Sequence, residues 1–220
     1  MKRGFLIVLS GPSGCGKGTV ADELFRRNDD IVFSVSATTR EARPGEIDGK
    51  NYFFLSEEEF LKRAENDEFL EYANVHGHYY GTPKDFVNKK IEEGNIVLLE
   101  IDVQGALQIK KKMKEVVFIF LIPPSMEELK RRLVGRGTES EKDLEIRIAN
   151  GFKEINFVEE YDFFVVNDYL EEAVRDIESI IKSEKHRAKR FKYIKDRVLG
   201  ENKWFTLKIK KIWKNYQDMP

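Results

Sequence analysis

The stretch "GPSGCGKGT" (11–19) stands between the apolar run "FLIVL" (5–9) and "KGTVADELFRR" (17–27), a good helix former. No other feature narrows the possible folds so far. A run that is apolar on both of its faces reads as a strand covered on both sides. A glycine turn leading from such a strand into a helix aims successive backbone N–H groups inward, and the helix N-terminus adds partial positive charge. The pattern is G-x-x-x-x-G-K: Gly11, Gly14 and Gly16 let the backbone approach a chain of phosphates, and Lys17 reaches the outer ones. Pro12, Ser13, Cys15, Gly18 and Thr19 complete the loop.

Further short apolar runs follow at "FSVSA" (33–37), "IVLLEI" (96–101), "VVFIFL" (116–121) and "FFVV" (163–166). Together with residues 5–9 they predict a parallel five-stranded sheet flanked by helices, an α/β fold. "SMEELKRRL" opens a helix on Ser125 as cap, and "EEAVRDIESIIKSE" places Ala173, Ile177, Ile180 and Ile181 on one face. Two segments break the rhythm. Residues 34–92 hold short alternating pieces with turns at "RPGEIDGKN" and "HGHYYGTP", which predicts an inserted lobe with a mixed sheet. Residues 126–150 read as helix, glycine break and helix, a mobile lid. The core is then 1–33, 93–125 and 151–190, with a basic amphipathic extension over 191–220.

The chain has 220 residues, with 35% charged and 12% aromatic, which suits a globular protein and argues against disorder. Its start resembles a signal peptide only until the apolar run meets the glycine loop. No run approaches the roughly 20 apolar residues that cross a bilayer. A single cysteine excludes an internal disulfide and a zinc-type cluster, so a cytoplasmic protein is expected. Residues 182–214 carry 13 Lys and Arg against three acids. Within the tail, Phe205, Ile209, Ile212, Trp213 and Tyr216 fall at helical spacing. That stripe predicts docking on the protein's own core or on a second copy in a homo-oligomer, with no clear nucleic-acid or membrane partner.

Inside the lobe, Arg40, Arg43, Tyr52 and Tyr80 supply guanidinium forks and phenol donors suited to one phosphate group; the plainer reading is solvated loop charge. Glu71 lies in an otherwise apolar strand, where an unpaired carboxylate is costly. Either an internal ion pair or a ligand donating two hydrogen bonds resolves that cost; guanine donates two, through N1–H and its exocyclic amine. His76 and His78 read as structural or surface residues. Cys15 reads as a small filler, with a reactive thiol at the helix N-terminus as the sharper alternative. Gly18 follows the lysine where a Ser or Thr usually offers Mg²⁺ a hydroxyl, although Thr19 comes next. Mg²⁺ needs few protein ligands, so phosphates and water suffice to hold it.

At these residues the chain resembles the guanylate kinase family. The matching stretches are "GPSGCGKGT", "SVSATTR" with the R, GE, DG and YF that follow it, "EFLEYANVHGHYYGT", "LLEIDVQGA", "RRLVGRGTESE" and "VVND". The likeness runs over roughly residues 3–190 in the family's order. It implies a P-loop NTPase-like core, a GMP-binding lobe and a helical lid. It also implies that Ser36, Glu71, Thr82 and Asp102 read guanine, and that Arg40, Arg43, Tyr52 and Tyr80 hold the GMP phosphate. Lys17 with Arg132, Arg136 and Arg147 would act on the moving phosphoryl group, Asn167 would lie near the adenine of ATP, and Glu100 would hold Mg²⁺ through water. Asp102 has a plainer reading as a cap. The implied reaction is Mg-dependent phosphoryl transfer from ATP to GMP. The alternatives are another nucleoside monophosphate kinase, or a non-catalytic module of the same build that binds protein ligands.

Overall fold

A computed structural model describes residues 3–75, 77–135, 141–193 and 195. Strand β1 (Phe5–Ser10) runs through the glycine turn into α1 (Lys17–Arg27) and returns as β2 (Ile31–Phe33). The chain then builds a second sheet from β3 (Ala37–Thr38), β4 (Phe53–Phe54), β5 (Phe69–Val75) and β6 (His78–Pro83), with α2 (Glu57–Glu65) between β4 and β5. Helix α3 (Lys84–Glu92) leads back to β7 (Ile96–Glu100), α4 (Val103–Lys112) and β8 (Val116–Ile122). Helices α5 (Met126–Val134) and α6 (Glu141–Ile155), strand β9 (Phe163–Val166) and α7 (Leu170–Lys185) follow.

The main sheet has the order β2-β7-β1-β8-β9, all parallel. All six residues of β1 are buried, and they divide between two cores. Phe5, Ile7 and Leu9 pack with Val20 and Leu24 of α1 and Ile177 of α7, while Leu6 and Val8 pack with Val87 and Ile91 of α3 and Ile109 of α4. Helices on both faces explain the unbroken apolar runs. Fully burying each such aliphatic side chain contributes roughly 1.5–3 kcal/mol. The parallel arrangement also brings the C-terminal ends of β1, β7 and β8 to one edge, where ligands bind in open α/β sheets.

The second sheet, β4-β3-β6-β5, is mixed: β3 and β4 run parallel and the other pairs antiparallel. Its own small core holds Ala37, Phe60 and Phe69, with Phe60 stacked on Phe69 at 4.4 Å and on Tyr79 at 5.4 Å.

One expected strand is redrawn. Residues 33–37 are not a strand of the main sheet: Phe33 ends β2, the Ser34 N–H still donates to the Leu98 carbonyl at 3.3 Å, and Ala37 opens β3 in the other sheet. The segment crosses between two cores, and Ser34, Val35 and Ala37 are buried all the same, so composition alone did not reveal the crossing. No helix among the described residues is long and apolar enough to cross a membrane. The tail stripe from Phe205 to Tyr216, His76, Arg136 and the middle of the expected lid lie outside the described residues.

Candidate active site

The donor end begins with backbone geometry. Gly14 and Gly16 have φ of 89° and 95°, in the left-handed region open mainly to glycine. A Cβ on Gly11 would stand 2.1 Å from the Leu121 carbonyl oxygen, so the turn also needs the absence of a side chain. Gly16 caps α1, whose first turn holds no acidic residue to offset the positive end of the helix dipole. The Lys17 ammonium donates to the carbonyls of Gly11 at 2.6 Å and Pro12 at 3.2 Å, folding over its own loop.

Three of the expected residues converge on this loop from elsewhere. Asn167, 6% exposed, donates from Nδ2 to the Cys15 carbonyl at 2.8 Å. Arg132 on α5 donates to the Asn167 carbonyl at 2.9 Å and the Cys15 carbonyl at 3.4 Å, while its Nε is held by Glu128 at 2.6 Å. Arg147 on α6 donates to Ser13 Oγ at 2.6 Å. Thr19 is exposed beyond them. The reactive reading of Cys15 fails here. The side chain is fully buried in the core cluster, and burial raises the thiol pKa despite the opposing pull of Lys17 and Arg132.

Glu100 ends β7 beside α1. A Cβ on Gly18 would lie 3.7 Å from Glu100 Oε2, so the missing side chain leaves space facing a hard oxygen donor. No cluster of three or more His, Cys, Asp or Glu suited to a metal exists among the described residues. One carboxylate beside a phosphate loop fits a hydrated Mg²⁺, which takes few protein ligands.

In the lobe, the Arg40 guanidinium lies 5.5 Å from the Tyr52 ring centroid and 5.9 Å from that of Phe54. The Tyr52 and Tyr80 rings meet edge-on at 6.0 Å. Glu46 organises the group: it accepts both Arg40 terminal nitrogens at 2.8 and 3.0 Å and the Arg43 backbone N–H at 2.7 Å. Arg40, Tyr52 and Tyr80 are thus brought together, while the Arg43 side chain is exposed. Glu46 is the acid of the "GE" at 45–46, and nothing in the local sequence pattern marks its part in this group.

Glu71, in β5 of the lobe, is 8% exposed and accepts the Thr82 hydroxyl at 2.6 Å. The pairing of β5 with β6 shifts register between Phe69 and Tyr72, a local irregularity that turns Glu71 toward α4. There Asp102 caps the helix, accepting the Gly105 N–H at 2.8 Å, and a Cβ on Gly105 would stand 3.2 Å from Glu71 Oε2. Burial first, and the Asp102 charge as well, push the Glu71 carboxyl pKa up. Among the described residues no cation bonds to Glu71: Lys112, whose charge acts on it, is bonded to Asp67 and the Phe69 carbonyl. Ser36 is half-buried on the crossing segment, its carbonyl accepting the Phe53 N–H at 2.9 Å.

A phosphate loop between β1 and α1, on a parallel sheet with helices on both faces and a second mixed sheet inserted after β2, defines a P-loop kinase-type fold for small phosphorylated ligands. Residues 3–184 match the family model described as guanylate kinase. The chain is 55% identical over 198 residues to a guanylate kinase of Caldanaerobacter subterraneus subsp. tengcongensis, covering 89% of this chain and 96% of that protein. It is 52% identical over 188 residues to one of Thermotoga maritima, covering 86% and 91%. A crystal structure of guanylate kinase from Anaplasma phagocytophilum superimposes with a TM-score of 0.67 at 39% identity, covering 86% of this chain and 90% of that one. The chain belongs to the guanylate kinase family.

Proposed function

We propose that this chain transfers the terminal phosphoryl group of ATP to GMP, giving ADP and GDP, with Mg²⁺ as the divalent metal. The observation that carries the reading is Glu71, a buried carboxylate with a hydroxyl partner and, among the described residues, no bonded cation, at the acceptor end of a site whose other end is a phosphate loop. Guanine N1–H and its amine offer that carboxylate two donors, whereas adenine presents an acceptor at N1. Ser36, Thr82 and Asp102 complete the base pocket. Arg40, Arg43, Tyr52 and Tyr80 hold the acceptor phosphate, with Glu46 fixing the Arg40 fork in a bidentate pair.

The acceptor oxygen belongs to a phosphate with a second pKa near 6, so it is mostly anionic at neutral pH and needs no general base. The protein aligns donor and acceptor and neutralises charge on the group in flight. Lys17 exchanges its loop carbonyls for donor phosphates, and the α1 amides take the remaining oxygens. Arg132, Arg136 and Arg147 add positive charge from the lid side, and Asn167 borders the adenine. Mg²⁺, when bound, supplies further neutralising charge on the donor phosphates, and Glu100 would hold it through water. Lid and lobe exclude the water that would otherwise accept the phosphoryl group.

The test is a coupled assay with Mg-ATP and each of GMP, AMP, UMP and dTMP. GMP should exceed the others by orders of magnitude in kcat/KM. No GDP formation would leave a binding module, and a preference for another acceptor would remove Glu71 from its role. Lys17→Ala should lower kcat by about 10²-fold or more with a small change in GMP KM, as removal of a transition-state contact does; a near-normal kcat would unseat the lysine.

A further inference from the structure

Strand β5 is an edge strand of the mixed sheet, with β6 on one side only. An edge strand carries a row of backbone N–H and C=O groups that face away from its neighbour and need other partners. Helix α4 of the main body supplies some of them. The Tyr72 N–H donates to Gln108 Oε1 at 3.2 Å, and Gln108 Nε2 donates to the Tyr72 carbonyl at 3.1 Å. A side-chain amide holds donor and acceptor on one plane, so it pairs with both backbone groups of a residue as a further strand would. One turn on, Lys112 donates to the Phe69 carbonyl and to Asp67 Oδ1, both at 2.8 Å.

These contacts lie on one face of α4, where positions 105, 108 and 112 follow the i, i+3, i+7 spacing. Gly105 faces the Glu71 side chain: a Cβ there would stand 3.2 Å from Oε2 and 3.5 Å from Cγ. On the other side of the strand, a Cβ on Gly81 of β6 would stand 2.9 Å from Tyr72 Cβ and 3.1 Å from the Glu71 carbonyl oxygen. The strand is thus closely flanked on both sides at residues 71 and 72. The register shift of β5 against β6 falls between Phe69 and Tyr72, and these are the two residues that α4 holds by the backbone. An irregular ladder specifies its register weakly, and a slip of one residue turns every side chain to the opposite face. Such a slip would turn Glu71 away from α4. Gln108 bonds the residue next to it.

We infer that Gln108 is a positioning residue for base selection: its amide fixes the Tyr72 backbone and so keeps the Glu71 carboxylate turned toward the base. This rests on Glu71 reading guanine, as proposed above. The experiment uses the full chain in four variants. Gln108→Met keeps the length of a half-buried side chain and removes both bonds. Gln108→Glu keeps the acceptor and sets a charge against the Tyr72 carbonyl. Glu71→Gln and its combination with Gln108→Met complete the cycle. In Gln108→Met the Tyr72 amide should exchange with deuterium at least about tenfold faster. GMP KM should rise about tenfold, with ATP KM and kcat within about threefold, and the preference for GMP over AMP in kcat/KM should fall about tenfold. Gln108→Glu should behave alike. In the Glu71→Gln background, Gln108→Met should lower that preference by no more than about twofold, since nothing is left to position. A merely structural role would lower it equally in both backgrounds. The inference fails if neither Gln108 variant folds, if both leave Tyr72 exchange or the GMP preference unchanged, if ATP KM rises with GMP KM, or if the losses add. An unchanged preference in Glu71→Gln alone would overturn the base reading, and this inference with it, so the silent single variant tells the two failures apart.

Discussion

At the scale of single residues, charge in an apolar setting is the most readable signal in this chain. Glu71 stood out because its neighbours in the strand are apolar, and the fold places it at 8% exposure with the Thr82 hydroxyl as its bonded partner. Glu71→Gln keeps the volume but presents one acceptor where a carboxylate presents two. GMP discrimination over AMP, as the ratio of kcat/KM values, should fall by roughly 10–10²-fold, since a site built to bond a donor depends on that bond for rejection. Unchanged discrimination in steady-state assays with both nucleotides would show that the base is read elsewhere. Glu46 was silent by contrast. It sits in a charged, polar stretch with no local contrast, and its partner, Arg40, became visible only when the chain folded. Asp102 was readable as a cap and is one, accepting the Gly105 N–H.

At the scale of elements, the strongest patterns gave the firmest boundaries. The helix expected at 17–27 forms over Lys17–Arg27, and the strand expected at 163–166 forms over Phe163–Val166. Ser125 caps α5 through the Glu128 N–H at 3.1 Å, as its place before the helix implied. The crossing at 33–37 was lost because a segment shared by two cores has the apolar content of a strand in one. The start of α1 shows what an element boundary can demand. Gly16 has φ 95°, and a Cβ there would stand 2.5 Å from Asn167 Nδ2, which is already committed to the Cys15 carbonyl. Gly16→Ala must either strain the backbone, at a cost of about 1–3 kcal/mol, or displace Asn167 and open the loop. Melting temperature should drop by several degrees, and ATP KM should rise at least about tenfold with GMP KM little changed. Thermal melts and initial rates of the same preparation check both parts, and an alanine variant with wild-type ATP KM would mean that the loop tolerates the shift.

At the scale of the whole molecule, the two sheets divide the labour, and the division carries a dependence on pH. The main sheet presents the donor loop at its C-terminal edge; the mixed sheet carries Glu71 and leans it against the cap of α4, an element of the main body. Glu71 therefore sits at the joint between them, and burial and Asp102 raise its pKa above the ordinary 4.5. An acid whose pKa is higher folded than unfolded contributes stability that is present below 4.5 and lost as pH rises through the folded value. The free protein should lose that contribution above 4.5, where the carboxyl ionises with, among the described residues, only the Thr82 hydroxyl bonded to it. Glu154 is raised in the same sense, but it faces the donor loop and does not distinguish free protein from the GMP complex. GMP, with two N–H groups for the ionised carboxylate, should offset the loss, so its stabilisation should grow as pH rises above 4.5. The GMP phosphate also ionises near pH 6 and strengthens its grip on Arg40 in any variant, so the diagnostic quantity is the difference between wild type and Glu71→Gln. A pKa moved by one is worth about 1.4 kcal/mol, roughly 2–4 °C of melting temperature for a chain of this size. Thermal melts with and without GMP across that range should therefore show a steeper rise for wild type than for the Gln variant. Parallel rises would mean that GMP gains nothing from the ionisation of Glu71, and that the joint between the sheets does not read the base.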